Sequence, residues 1–148
     1  MTEALGSGTN SGRRSRLLAE ARALIGTMFN VYSGSGESYP PVALNCSGFV
    51  ILVCRRVGIG EGYLDPGIGL STAGRIFKHL KETENPNPGD LAFYHRPDTH
   101  GGLEWHVMMV TESGVIGACP IAGRVREYPS TSFSEHWHAA GFREIPLL

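Results

Sequence analysis

At Asn85-Pro86-Asn87-Pro88-Gly89 the spacing of apolar residues changes from a helical period to a period of two, and this break constrains the fold more than any other feature. Before it, Leu17, Leu18, Ala21, Leu24, Ile25 and Met28 recur at three- and four-residue intervals, which predicts an amphipathic helix capped by Ser11 or Ser15 and closing near Gly26. A second helix is expected from Asn45 or Cys46, because Asn45 is a good cap and Phe49, Val50, Leu52, Val53 and Val57 form a broad apolar face. Gly58 and Gly60 end it. Residues 34–41 read as loop, and a short helix after Ser71 turns Ala73, Ile76, Phe77 and Leu80 inward. Beyond the break, apolar or β-branched runs at 91–94, 106–111, 114–118, 125–128 and 142–145, separated by Gly, Pro and Ser, read as strands. Helices first and a meandering antiparallel sheet second define an α+β domain, with the N-terminal helices packed on the sheet.

One core is all that 148 residues support, so residues 15–148 are read as a single domain behind a flexible leader at 1–14. The leader is rich in Gly, Ser, Thr and Arg and lacks the apolar centre of a signal peptide. With no run near the roughly 18 apolar residues of a membrane span, synthesis as a soluble cytoplasmic chain is expected, with export left to a machine that reads no N-terminal signal. A net charge of −1 argues against nucleic acid or an acidic membrane as partner. Cys46, Cys54 and Cys119 form an odd set, and Cys46 and Cys54 lie two helical turns apart where no bridge can form, so a disulfide framework is not expected.

Cys46 falls at the first turn of an apolar helix, which aims its sulfur at unsatisfied backbone N–H groups and favours thiolate. Cys54, two turns on, reads as core. His106 opens the strongest strand, His106-Val107-Met108-Met109-Val110, and its ring is expected at a sheet edge as the general base.

These residues fall in ordered blocks that resemble the NlpC/P60 cysteine peptidases. Ala23-Leu24-Ile25-Gly26-Thr27 is similar to the family's end of first helix, and Asn45-Cys46-Ser47-Gly48-Phe49-Val50 to its Asp-Cys-Ser-Gly-Phe/Leu-Val nucleophile motif. Pro88-Gly89-Asp90-Leu91 resembles its Pro-Gly-Asp-Leu strand, and Trp105-His106-Val107 its His-Val-Gly-Ile strand. The resemblance implies a papain-like fold and hydrolysis of amide bonds in peptidoglycan stem peptides or crosslinks through a Cys46 thioester. Asn45 stands where the family has Asp, Phe29 stands at the upstream Tyr with Tyr32 as substitute, and the third polar position falls on Gly117. Cys119, two residues on and on the same strand face, is the candidate third member. Asn45, Ser47 and Tyr32 are the candidate substrate or oxyanion residues, the donors being N–H groups at the helix start.

No cofactor or metal is implied, and the chain is expected to be a monomer. The lack of a signal peptide resembles the amidase effectors delivered by type VI secretion, which implies a small immunity protein as partner and action in the periplasm or cell wall. A phage or gene-transfer-agent wall hydrolase shares the same chemistry. The rivals from other classes are a metallohydrolase built on His95, His100, His106, His136 and His138, and an inactive relative that only binds wall fragments. Arg13-Arg14 and Arg55-Arg56 read as solvated basic pairs.

Overall fold

The computed structural model describes residues 10–30, 43–66, 72–132 and 134–147. In chain order it contains α1 (Asn10–Ala23), β1 (Met28–Phe29), β2 (Ala43–Leu44), α2 (Cys46–Arg56), α3 (Glu61–Leu64), α4 (Ala73–His79), β3 (Glu82–Thr83), β4 (Leu91–Pro97), β5 (Leu103–Val110), β6 (Val115–Cys119), β7 (Arg124–Tyr128) and β8 (His138–Arg143). The strands form one sheet in the order β2-β1-β7-β6-β5-β4-β8-β3, antiparallel throughout except for the β1–β2 pair. The α+β expectation holds, with the helices on one face.

Alternation along the strands divides the core into two layers. Val107 and Met109 of β5, Leu91 and Phe93 of β4, and Ile116 and Ala118 of β6 pack against Leu17 and Ala21 of α1 and Phe49, Val50 and Val53 of α2. On the other face, Ala92, Tyr94, Met108, Val110, Val115 and Trp137 form a smaller cluster. Leu24, just past α1, is buried, whereas Ile25 and Met28 are exposed: the helix ends at Ala23, and Gly26 at φ 97° turns the chain into β1.

The first helix begins at Asn10, inside the stretch read as leader, and Arg14 explains why. Its guanidinium donates to Asp90 Oδ1 at 2.9 Å and to the Pro88 carbonyl at 3.0 Å. Asp90 is 1% exposed, and its carboxylate also accepts from the backbone N–H groups of Asn87 at 2.8 Å and Ile145 at 2.9 Å. The Pro-Gly-Asp motif therefore ties α1, the turn before β4 and the C-terminal segment to one buried carboxylate. Gly89 serves the same junction: its φ is 96°, and a Cβ there would stand 3.2 Å from Leu17 Cδ1. Of the basic pairs read as solvated, Arg14 is thus a structural partner, and Arg56 pairs with Glu20 at 3.3 Å.

Candidate active site

The nucleophile motif forms where a helix start meets a parting of strands. Asn45 caps α2, its Oδ1 accepting from the Gly48 N–H at 2.7 Å and from Ser47 Oγ at 3.4 Å. The Asn side chain thus performs the capping task without a charge. Cys46, the first residue of α2, is held at the edge of β5.

Strand β5 pairs with β4 from Leu103 to Val110 but with β6 only at Met109↔Ile116 and Val110↔Val115. Extending that register sets Cys119 opposite His106, yet the strands have separated there. The N–H groups of Val107, Ser47 and Cys46 are all directed at the Cys46 sulfur. A strand amide released from the ladder and two helix-start amides thus converge on one atom.

His106 accordingly does not sit at the sheet edge, as its place at the start of an apolar run suggested. It is the fourth residue of an eight-residue inner strand, 2% exposed, on the face opposite α2. The notch between β5 and β6 is what opens that face to Cys46. Cys46 and His106 line one cavity of about 300 Å³, together with Asn45, Ser47, Phe29, Trp105 and Trp137. Trp105 forms one wall because Gly74 of α4 admits it, a Cβ on that glycine standing only 3.1 Å from Trp105 Cδ1.

The electrostatics differ from the sequence expectation. The helix start favours thiolate, and the three amides do lower the Cys46 pKa, but burial outweighs them and raises it above the ordinary 9.0. Burial, with the Arg96 charge as a second cause, lowers the His106 pKa to about 3. Near neutral pH the resting groups are therefore a thiol and an uncharged imidazole. Cys54 is fully buried in α2, its pKa pushed up to about 12 by burial, in keeping with a core role.

Gly117 faces Met108, and a Cβ there would stand 3.3 Å from Met108 Cε and Cγ. The methionine, which occupies the second position after His106, fills the room a polar third residue would take. Cys119 is buried in β6 and hydrogen-bonds with Tyr128, whose pKa rises to about 12 through burial first and this contact second. Tyr32 lies outside the described residues, as does the 34–41 loop. Trp137 and Arg96 were not singled out by sequence as site residues. Their alternation on β4 and ahead of β8 places them in the second layer, but the meeting of the Trp137 ring with His106 depends on strand pairing between segments distant in the chain.

Among the described residues, no three His, Cys, Asp or Glu side chains are grouped as a metal site requires, and no helix is long and apolar enough to cross a membrane. His95 and His138 face each other across the β4–β8 pair with ring centroids 6.1 Å apart, while His106 stands on the opposite face of the sheet.

The backbone is similar to solved NlpC/P60 structures. NlpC2 from Trichomonas vaginalis superposes with a TM-score of 0.67 at 21% identity, covering 89% of this chain and 46% of that one. NlpC1 from the same organism gives 0.66 at 18%, covering 88% and 43%. An NlpC/P60 family protein from Bacillus cereus gives 0.61 at 17%, covering 88% and 39%. No family model and no curated protein matches the chain. The chain has the NlpC/P60 fold, as the motif blocks implied, and spans less than half the length of these solved chains.

Proposed function

We propose that the chain is a cysteine amidase that hydrolyses amide bonds of peptidoglycan stem peptides or their crosslinks. The observation that carries this reading is the placement of Cys46 and His106 in one cavity, with three backbone amides directed at the sulfur. A core cysteine has no need of such donors, whereas a tetrahedral oxyanion formed beside the sulfur does.

With both groups neutral at rest, attack and proton transfer occur together. The Cys46 sulfur adds to the scissile carbonyl carbon while its proton passes to His106. The carbonyl oxygen takes the negative charge against the amides of Ser47, Cys46 and Val107. His106 then returns the proton to the leaving nitrogen, the C–N bond breaks, and a thioester remains. Water attacks it with His106 again as base, releasing the carboxylic acid and restoring the thiol. The imidazolium is formed only transiently, which suits a site that disfavours standing positive charge.

Asn45 positions the helix start, and Ser47 supplies a donor; Cys119 and Tyr32 are kept as candidate site residues. The substrate class rests on the fold and on the motif resemblance. Within it we favour a monomeric antibacterial effector, made in a bacterial cytoplasm, acting in a periplasm or wall after type VI export and inhibited by an immunity protein covering the cleft. A phage-type wall hydrolase uses the same site.

Purified sacculi incubated with the protein should release new amino groups. Cys46→Ala should reduce that release by about 10⁴-fold or more, and a chelator should leave it unchanged. Equal release by wild type and Cys46→Ala would end the cysteine reading.

A further inference from the structure

We propose that Trp137 is a positioning residue: its indole, backed by the Arg96 guanidinium, holds the His106 imidazole in the orientation that faces the Cys46 cleft. The inference rests on Cys46 and His106 being the reacting pair, and goes beyond it by assigning the part that Gly117 leaves open.

Three layers stack on the sheet face away from α2. The Trp137 ring lies with its centroid 5.3 Å from that of His106, tilted by 35°. Arg96 Cζ stands 4.2 Å from the indole centroid on β4, and its Nε donates to Glu104 Oε1 at 3.0 Å. The ion pair fixes the guanidinium, the guanidinium fixes the indole, and the indole limits rotation of the imidazole. On another side Tyr94 approaches His106 with ring centroids 6.2 Å apart, its hydroxyl donating to the Thr131 carbonyl at 2.6 Å.

The indole N–H of Trp137 is buried and meets no acceptor among the described residues. A buried unpaired donor is costly, so the value of this side chain at the site lies in its ring face. Met108 against Gly117 closes the room where a polar third side chain would otherwise come from β6. The titratable or charged groups around His106 are then Tyr94 and Arg96 from β4, Glu104 from β5, Cys46 from α2 and Cys119 from β6, the last joined to Tyr128 of β7. Arg96 adds a fixed positive charge behind the indole, which favours the uncharged imidazole needed to accept the Cys46 proton.

The test follows the His106 imidazole by NMR with labelled histidine in Trp137→Phe, Trp137→Leu and Arg96→Gln, alongside kcat and KM for amine release from stem peptides. In wild type the ring should stay neutral well below the ordinary histidine range, to about pH 3. Trp137→Leu should move the titration toward the ordinary histidine range and lower kcat by about 10²-fold, with KM changed by less than about 3-fold, a split typical of a displaced catalytic group. Trp137→Phe should restore both. Arg96→Gln, which removes the charge and the backing of the indole but keeps the indole itself, should raise the titration by a smaller amount. Wild-type titration and kcat in Trp137→Leu would overturn the proposal. Were that variant not to fold, an unmoved titration in Arg96→Gln would overturn it instead. A shifted titration in a protein that cuts no stem peptide would support the positioning role and reject the substrate reading, so the two failures are distinguishable.

Discussion

The Asp90 junction and the Cys46–His106 cleft are built on opposite principles. At Asp90 the carboxylate meets a guanidinium and two backbone amides, so a charge is stable at a residue 1% exposed. At the cleft, Cys46 is half-buried and His106 buried, and desolvation moves both pKa values toward the neutral forms. Saturation makes the first centre a rivet that joins three segments. At the second, both groups line one cavity and neither is held in its charged form. A motif resemblance weights the two equally; only the partners of each group separate structure from chemistry.

The contrast is broken most forcefully at the rivet. Asp90→Ala should destabilise the protein by about 3–5 kcal/mol, because Arg14 and two amides lose their acceptor, whereas Cys46→Ala should leave stability nearly unchanged while removing activity. Chemical denaturation of the two variants checks this. Equal loss of stability in both would mean that the cleft is as tightly bonded as the rivet.

A smaller effect is expected beside His106. Gly117→Asn forces a side chain against Met108 and should cost about 1–3 kcal/mol. Adding Met108→Ala should recover most of it, which thermal melts of the single and double variants would show. Additive losses would place the two residues out of contact.

The smallest change is at the helix cap. Asn45→Ala should lower stability by about 1 kcal/mol, whereas Asn45→Asp should keep the cap and raise the Cys46 pKa further through its negative charge. Denaturant midpoints and thiol titration measure the two parts separately.

Much of this was legible in the sequence because the signals were local. Helix α2 starts where Asn45 and the apolar face of Phe49, Val50 and Val53 required, and the five strands after the proline break fall within a few residues of their expected places. The two-residue strands β1, β2 and β3 escaped notice, being too short to show alternation. Strand β5 began three residues before His106, since Leu103-Glu104-Trp105 carries no β-branched residue, and the supposed edge became an interior position. The helix start of α1 was hidden by Gly and Ser, whose weak propensity was overridden by the Arg14–Asp90 pair. At the site, the helix N-terminus at Cys46 could be inferred, but its balance against desolvation could not. Desolvation depends on the second layer of aromatic rings, and those arrive through pairings remote in the chain.

The cleft rests as a thiol beside an uncharged imidazole, and the pH dependence of Cys46 alkylation by iodoacetamide, read on the Cys46 peptide by mass spectrometry, reports that state. A pKa raised by burial leaves Cys46 protonated below its ordinary value, so the rate should stay low through neutrality and climb in a single step only above pH 9. A plateau of fast alkylation between about pH 5 and 8, the signature of a standing thiolate–imidazolium pair, would contradict it.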